Sequence, residues 1–541
     1  MKRRDFLKYG ASAGIATTAL PVMLGGFPLR VLGKSPLQQL LATSATANDK
    51  ILVIVQLAGG NDGLNCVVPY TDPLYKQYRP TLGLDKTANG LLVFSDHDTL
   101  ALPKEMDGMH SLYMSGRMAL MQNVGYPNPD LSHFRGTDIW NTATDSSRFS
   151  NTGWIGRMLG ILNPDYPPAV IPKDSAPLAL QFGASLSNLF FAENGGTGIV
   201  ISQFPNSSSA STHLYDAIPS NPTIAYQELD YVRTIEKETE VYSQSIVDRK
   251  VTTNKVTYPT TGKLAPQLSG VAQLIASGFS TKIYLVSQGS YDTHSNQKTD
   301  QPALLGELSD CLKAFQDDLE AFGLADRVAL MTYSEFGRRP IENGSGTDHG
   351  TAAPHFVIGT QVIPGIRGHD PKLGSADLLN SNLVFEAQHD FRNIYASVMY
   401  EWLLDGAGAD KDALINSVLT TSGSSTYSST SSWTKLGIFK AQSSNAVNDQ
   451  SAFVPGLMLM ENYPNPVSSQ TTIEYSLPAT MAVELGIFNT AGVELERLVD
   501  TRQEVGNHRV TFQASNLPSG TYIYRLKTVS GVVAKRMVVV R

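Results

Sequence analysis

The sequence predicts a doubly wound, mostly parallel α/β sheet followed by a small C-terminal β-sandwich. Three observations carry that prediction. From Lys50 onward, short continuous apolar runs end in Gly, Asn or Asp and alternate with longer amphipathic stretches, the pattern of strands buried on both faces and joined by crossover helices. Residues Thr420 to Ser432 are almost all Ser, Thr and Gly, a composition that cannot bury enough apolar surface to hold a fixed structure. Beyond them the hydrophobic period switches to two, with turn residues between the runs, as in an antiparallel sandwich.

Taken in order, the apolar runs Ile51–Leu57, Met118–Val124, Lys282–Ser287, Arg327–Tyr333 and His355–Ile358 read as strands. Helical periodicity falls at Ser269–Ser277 and Leu304–Phe322, with a longer polar-faced helix at Thr223–Lys250. Alternating strand and helix implies the doubly wound sheet. In the C-terminal part, Thr472–Leu477, Met481–Asn489, His508–Gln513, Thr521–Lys527 and Arg536–Arg541 alternate apolar and polar residues. The expected division is therefore 1–48 export signal and spacer, 49–416 α/β domain, 417–456 linker and 457–541 sandwich.

Composition narrows the function. With 541 residues, 42% hydrophobic and 17% charged, the chain has the composition of a multidomain globular protein. Its 42 basic residues against 49 acidic ones form no stripe that could neutralise a run of phosphates, so nucleic acid is not an expected partner. No segment after the N-terminus offers the roughly 20 consecutive apolar residues of a membrane helix, and no transmembrane segment is expected in the mature chain. Cys66 and Cys311 are too far apart in sequence for a redox or metal pair motif.

The first segment points to export. Lys2-Arg3-Arg4-Asp5-Phe6-Leu7-Lys8 precedes a small and apolar run from Ala11 to Gly26, the charged and hydrophobic regions of a signal. Arg3-Arg4 followed by Asp5-Phe6-Leu7-Lys8 resembles a twin-arginine signature, which implies the twin-arginine translocase as a partner and passage of an already folded chain; the alternative is an ordinary secretory signal. At the other end, Asn462-Tyr463-Pro464-Asn465-Pro466 and Leu517-Pro518-Ser519-Gly520-Thr521-Tyr522-Ile523-Tyr524 resemble the C-terminal sorting domain of the type IX (Por) secretion system. That implies the type IX machinery as a partner and a cell-surface or extracellular destination. A fibronectin-like adhesive module would share the strands without this pair of motifs.

In an open α/β sheet, ligands bind beyond the carboxyl ends of the strands. Three expected strands deliver acidic and imidazole side chains there, at Gly59-Gly60-Asn61-Asp62-Gly63, at Tyr291-Asp292-Thr293-His294 and at Ser334-Glu335-Phe336-Gly337-Arg338. Asp292 and His294 are two apart, so an extended segment turns both to one side, half of a metal site. A fourth cluster, Gly344-Ser345-Gly346-Thr347-Asp348-His349-Gly350, precedes the strand at His355.

These residues also carry a family resemblance. Gly59-Gly60-Asn61-Asp62-Gly63-Leu64-Asn65, Ser132-His133-Phe134-Arg135, Gly153-Trp154-Ile155-Gly156-Arg157, Asp292-Thr293-His294-Ser295-Asn296-Gln297, Ser334-Glu335-Phe336-Gly337-Arg338, Thr347-Asp348-His349-Gly350 and Asp390-Phe391-Arg392 resemble the motifs of domain-of-unknown-function family 1501, over roughly residues 50 to 405. That family is similar in layout to the alkaline phosphatase and sulfatase superfamily. The resemblance implies Asp62, Asp292, His294, Glu335, Asp348 and His349 as ligands of one or two divalent cations (zinc, magnesium or calcium). It implies Ser132 as nucleophile, though a serine there also serves as a helix cap, and Arg135, Arg338 or Arg339 as clamps for an anionic ester substrate. In the preferred alignment Glu335 and Phe336 replace the superfamily's Asp and His; in the competing one Asp348-His349 is that pair and His355 the last ligand. Two functions follow from it: a secreted metal-dependent hydrolase of phosphate or sulfate esters, or a non-catalytic binding or structural protein on a degenerate scaffold.

Overall fold

The computed structural model describes residues 49–164, 166, 175–193, 195–202, 241–249, 253–374, 378–379, 384–385, 389–404, 411–419, 433–440 and most of 458–540, with two short pieces at 23–24 and 27–28. The twin-arginine reading of Arg3-Arg4 lies outside these residues, as does most of the helix expected at Thr223–Lys250, of which 241–249 are helical. Contact density divides the chain into two compact units, 1–441 and 442–541.

The first unit is built on a nine-stranded sheet of β1 (Ile51–Leu57), β2 (Met118–Gly125), β3 (Ala179–Phe182), β4 (Gly198–Ile201), β5 (Ile283–Gln288), β6 (Val328–Tyr333), β7 (Ala353–Ile358), β8 (Gly365–Arg367) and β9 (His389–Asp390). The order is β4-β3-β5-β1-β6-β7-β2-β8, with β9 also pairing β2. Every pairing is parallel except those of β7, which runs antiparallel to both β6 and β2. A continuous apolar run on a twice-buried strand reads the same in either direction, so no residue pattern signals this reversal.

Alternation along β1 explains the layering. Ile51, Val53, Val55 and Leu57 enter one core, and Leu52 and Ile54 enter the other. Its helices include α1 (His133–Thr142), α2 (Trp154–Leu162), α3 (Leu264–Ala276), α4 (Gln297–Ala321), α5 (Phe391–Val398) and α6 (Lys411–Leu419). Leu264, Leu268, Val271 and Ile275 of α3 and Leu305, Leu308, Leu312 and Phe315 of α4 recur every three or four residues, which puts them on one face, and they cover the first core. Trp140, Trp154, Met158, Tyr395 and Ile415 from α1, α2, α5 and α6 cover the second. α4 begins earlier than the sequence predicts because Pro302, near its start, forfeits a single hydrogen bond there.

The expected linker is also corrected in part. Residues 417–419 complete α6, and Trp433, Ile438 and Phe439 are buried in the second core. Glu401 fixes this stretch by accepting from the backbone N–H groups of Gly437, Ile438 and Phe439.

The second unit is an antiparallel sandwich of β10 (Met458–Leu459), β11 (Gln470–Leu477), β12 (Met481–Phe488), β13 (Glu494–Gln503), β14 (Gly506–Gln513), β15 (Gly520–Thr528) and β16 (Gly531–Val539). Its two sheets run β10-β11-β14 and β13-β12-β15-β16. Ile473, Tyr475, Val483, Leu485, Tyr524, Leu526 and Met537 fill the space between them. The sequence reading missed β13, whose residues are almost all charged or solvent-facing, so no apolar alternation marks it.

Candidate functional site

The parallel strands β1, β5, β6 and β2 end at one edge of the sheet, and their following loops meet there. Gly59 and Gly60, after β1, have φ of +122° and +73°. A Cβ on Gly59 would stand 2.4 Å from the backbone nitrogen of Asp292, and one on Gly60 would stand 2.3 Å from the Phe336 ring. Glycine is required at both positions by conformation and by space. Ser334 ties two of the loops together, donating to the carbonyl of Leu57 at 2.7 Å and accepting from Asn61 N–H at 2.9 Å.

Three histidines and one aspartate converge in this crevice. His133 opens α1 after the β2 loop, Asp292 and His294 follow β5, and His349 lies on a short hairpin strand, Thr347–His349. Ligand atoms of His133, Asp292 and His349 all lie within 4.8 Å of one another. His133 Nε2 is 3.3 Å from Asp292 Oδ2, and the Nε2 atoms of His349 and His294 are each 3.2 Å from Asp292 Oδ1. His294 Nε2 is 3.0 Å from His349 Nε2.

Each imidazole is held from behind. His349 Nδ1 meets the carbonyl oxygen of Leu131 at 2.7 Å, His133 Nδ1 meets Glu335 at 2.8 Å, and His294 Nδ1 meets Asp348 at 3.0 Å. A carbonyl or ionised carboxylate only accepts, so each Nδ1 carries the proton and each neutral ring turns the lone pair of Nε2 toward Asp292. This is the arrangement in which outer-shell acceptors orient imidazoles around a cation. Two further observations fit it: His133 Nε2 is a buried polar atom without a hydrogen-bond partner, and a His/carboxylate donor set suits a divalent transition metal such as zinc.

Electrostatics favour a charged Asp292. Burial pushes its carboxyl up, but the hydrogen bond and positive charge of Arg338, with His349 alongside, outweigh that and bring it down to about 2. For His349, burial is the largest influence and lowers its pKa, which keeps the ring neutral. Phe336 forms an apolar wall, its ring centroid 4.6 Å from that of His349 and 4.9 Å from that of His133.

Other expected site residues have different partners. Asp62 faces Arg79, not the crevice. Its oxygens accept from Arg79 Nη1 at 2.5 Å, Arg79 Nη2 at 2.9 Å, Leu64 N–H at 3.2 Å and the Gln297 amide, and both charged side chains are 0% exposed. A carboxylate so saturated has no lone pair directed at a cation. Glu335 and Asp348 stand behind His133 and His294, one bond further from the center than the sequence placed them. His355, the last ligand of the competing alignment, is buried in the second core against Trp140.

Of the three arginines, Arg135 pairs with Asp138 and donates to the carbonyls of Asp145, Ser146 and Arg148. Arg338 is buried and donates to the carbonyls of Gly59, Gly60, Tyr291 and Thr347 as well as to Asp292. Only Arg339, half-buried, with Nε 3.2 Å from the carbonyl of His349, keeps room for an anion. Ser132 is exposed and is the N-cap of α1, yet its hydroxyl makes no capping bond.

The sequence reading missed His133. It stood in the quoted Ser-His-Phe-Arg motif beside Ser132, and the signal available was its place directly after a strand-end loop.

No curated protein sequence matches the chain. Solved structures that it resembles include the lipoteichoic acid synthase LtaP of Listeria monocytogenes (11% identity, 60% of this chain and 68% of that one, TM-score 0.25). Others are a protein in the alkaline phosphatase superfamily from Vibrio parahaemolyticus (11%, 61% and 70%, 0.26) and a sulfatase from Pseudoalteromonas sp. (9%, 89% and 88%, 0.30). No helix among the described residues is long and apolar enough to cross a membrane. Residues 461–540 match the secretion system C-terminal sorting domain, which indicates export to the cell surface or beyond it. Residues 270–405, which hold Asp292, His294, Glu335 and His349 and span the C-terminal part of the resemblance, match the family described as a protein of unknown function, DUF1501.

Proposed function

We propose that residues 49–441 form a metal-dependent hydrolase of phosphate or sulfate esters, working with one divalent cation on an exported chain. The observation that carries this reading is the convergence of three Nδ1-anchored imidazoles on the Asp292 carboxylate. His133, Asp292, His294 and His349 would hold the cation, which when bound supplies Lewis-acid stabilisation of charge on the transferring group.

The chain's own residues supply the rest. Ser132 sits at the positive end of α1, where an anionic phosphoryl or sulfuryl group is favoured, and Arg339 offers a further charge. Attack by Ser132 Oγ forms an O–P or O–S bond as the ester bond breaks. The leaving oxygen takes a proton from water, and the serine proton passes to solvent. A second water then cleaves the serine ester, regenerating the hydroxyl and releasing the free anion. Phe336 limits water on one side of the crevice.

A second reading is favoured by one observation, the neutralisation of Asp62 by Arg79, which removes one of the superfamily's two metal positions: the chain is then a non-catalytic binding protein on the same scaffold. Elemental analysis of the purified protein, combined with hydrolysis of p-nitrophenyl phosphate and sulfate, separates the two. The hydrolase reading expects one bound metal equivalent, with turnover lost in Ser132→Ala and metal lost in His349→Ala. One equivalent without turnover of any ester leaves the binding protein, and two tightly held zinc ions would overturn the single-cation arrangement.

A further inference from the structure

Arg338 stands directly against the imidazole cluster, with its side chain 0% exposed. Its backbone pairs across the hairpin with His349, so the register that delivers one imidazole also delivers the guanidinium. Nε donates to the carbonyl of Gly60 and Nη1 to that of Thr347, both at 2.7 Å. Nη2 donates to the carbonyl of Gly59 at 2.5 Å, to Asp292 Oδ1 at 2.6 Å and, more weakly, to the carbonyl of Tyr291 at 3.2 Å. The packing around it is close, since a Cβ on Gly350 would stand 2.4 Å from the backbone carbonyl carbon of Arg338.

Oxygens from three stretches of chain, the loops after β1 and β5 and the hairpin after β6, thus converge on one buried positive group. Four carbonyls and a carboxylate oxygen are the donors that hard cations take: calcium collects about six to eight oxygens and magnesium about six. Here a permanently charged side chain already fills that place. The same guanidinium restricts what Asp292 can offer. At 2.6 Å it engages Oδ1 and repels further positive charge from that oxygen, so fewer carboxylate lone pairs remain for a cation among the imidazoles. The donors left are few and rich in nitrogen, which zinc-like ions accept in four-coordinate sites and oxygen-seeking ions do not.

We propose that Arg338 selects the cation: by filling the oxygen cage beside the cluster and engaging Asp292 Oδ1, it bars calcium and magnesium and leaves a histidine-rich site for one transition-metal ion. This rests on the metal site of the proposed function and deepens it by naming the residue that decides which ion the site takes. Arg338 is a positioning residue, acting through Asp292 and the three loops and not on a substrate. The guanidinium that the sequence offered as an anion clamp has no donor to spare for an anion, since the carbonyls and Asp292 absorb them.

The test is calorimetric titration of the full, chelator-stripped chain with zinc chloride and with calcium chloride. The wild type should bind zinc and no calcium at about 10 mM, a concentration that fills even weak extracellular calcium sites. Arg338→Ala empties the cage, and it should bind calcium with a Kd of about 1 mM or tighter while its zinc affinity falls about 10–100-fold, because Asp292 loses the donor that orients it. Guanidinium chloride, far below unfolding concentrations, should refill the cage in that variant and displace the calcium, a competition that a merely structural arginine would not produce. Arg338→Lys keeps the charge but not the planar fork; it covers the case in which the alanine variant does not fold, and it too should bind calcium more tightly than the wild type. Calcium bound by the wild type, or refused by every folded variant, overturns the selection while leaving the zinc site standing. A wild type that binds no zinc removes the metal site itself, and with it this role for Arg338. Zinc bound without turnover of any ester counts against the hydrolase alone.

Discussion

Removing Arg79 should unfold the first unit more readily than almost any other single substitution. Its guanidinium is fully buried and, besides the two bonds to Asp62, donates to Asn65 Oδ1 at 2.8 Å and to the carbonyls of Pro340 and Arg339, both at 2.9 Å. Arg79→Met would leave a buried carboxylate without its counter-charge and take a donor from three further acceptors, of which Asn65 Oδ1 keeps the Tyr75 hydroxyl. Breaking a buried pair from one side costs about 3–5 kcal/mol, and the donors lost by the other acceptors place this case at the upper end, about 5 kcal/mol. Asp62→Asn/Arg79→Met should recover about 2 kcal/mol of the loss expected from adding the two single changes, because the pair is directly coupled. Urea denaturation followed by tryptophan fluorescence reads this cleanly, since all four tryptophans (Trp140, Trp154, Trp402 and Trp433) lie in the first unit. Asp62→Asn alone should keep its bound metal while losing stability. A variant that keeps its stability but loses its metal would refute the structural role assigned to Asp62 and return it to the ligand set.

Three other outcomes are expected. Glu335→Gln, which weakens the acceptor behind His133 without touching a ligand, should lower metal affinity about 10–100-fold, measured by competition with a chromophoric chelator; unchanged affinity would remove Glu335 from the supporting shell. Burial lowers the pKa of His355 from 6.5 to about 4, so below pH 6.5 the unfolded chain takes up a proton that the folded chain refuses. Its contribution is complete above pH 6.5, falls by about 3 kcal/mol between pH 6.5 and 4, and is flat below that; urea midpoints across this range should fall less steeply in His355→Leu, and equal slopes would contradict the assignment. Deleting residues 457–541 should leave the chain in the periplasm, and finding the truncated protein in the medium by fractionation would contradict the reading of the sandwich as the sorting signal.

Much of this site was legible because chemistry-bearing residues cluster just after apolar runs. Asp292 and His294 could be collected on that rule alone, whereas His349, in the cluster before the strand at His355, came from the family resemblance. Asp62 obeyed the same rule and has another role, since its partner Arg79 follows the short helix Pro73–Tyr78, whose approach no local pattern encodes. Arg135 and Arg338 were read as free cations because a sequence shows charge but not the carbonyls that absorb it. In the fold, helix periodicity and the change to period two identified both architectures. The direction of β7 was beyond reach, as were the short strands β3, β4 and β8, whose three or four residues carry no periodicity.

The histidine cluster draws on three stretches of chain that are neighbors only once β2, β5 and the hairpin after β6 have found their places. A nascent chain offers no part of it beyond the single pair at 292 and 294. Any cation the cluster takes is therefore captured by a finished fold, and the compartment in which the sheet closes decides which ions compete for it.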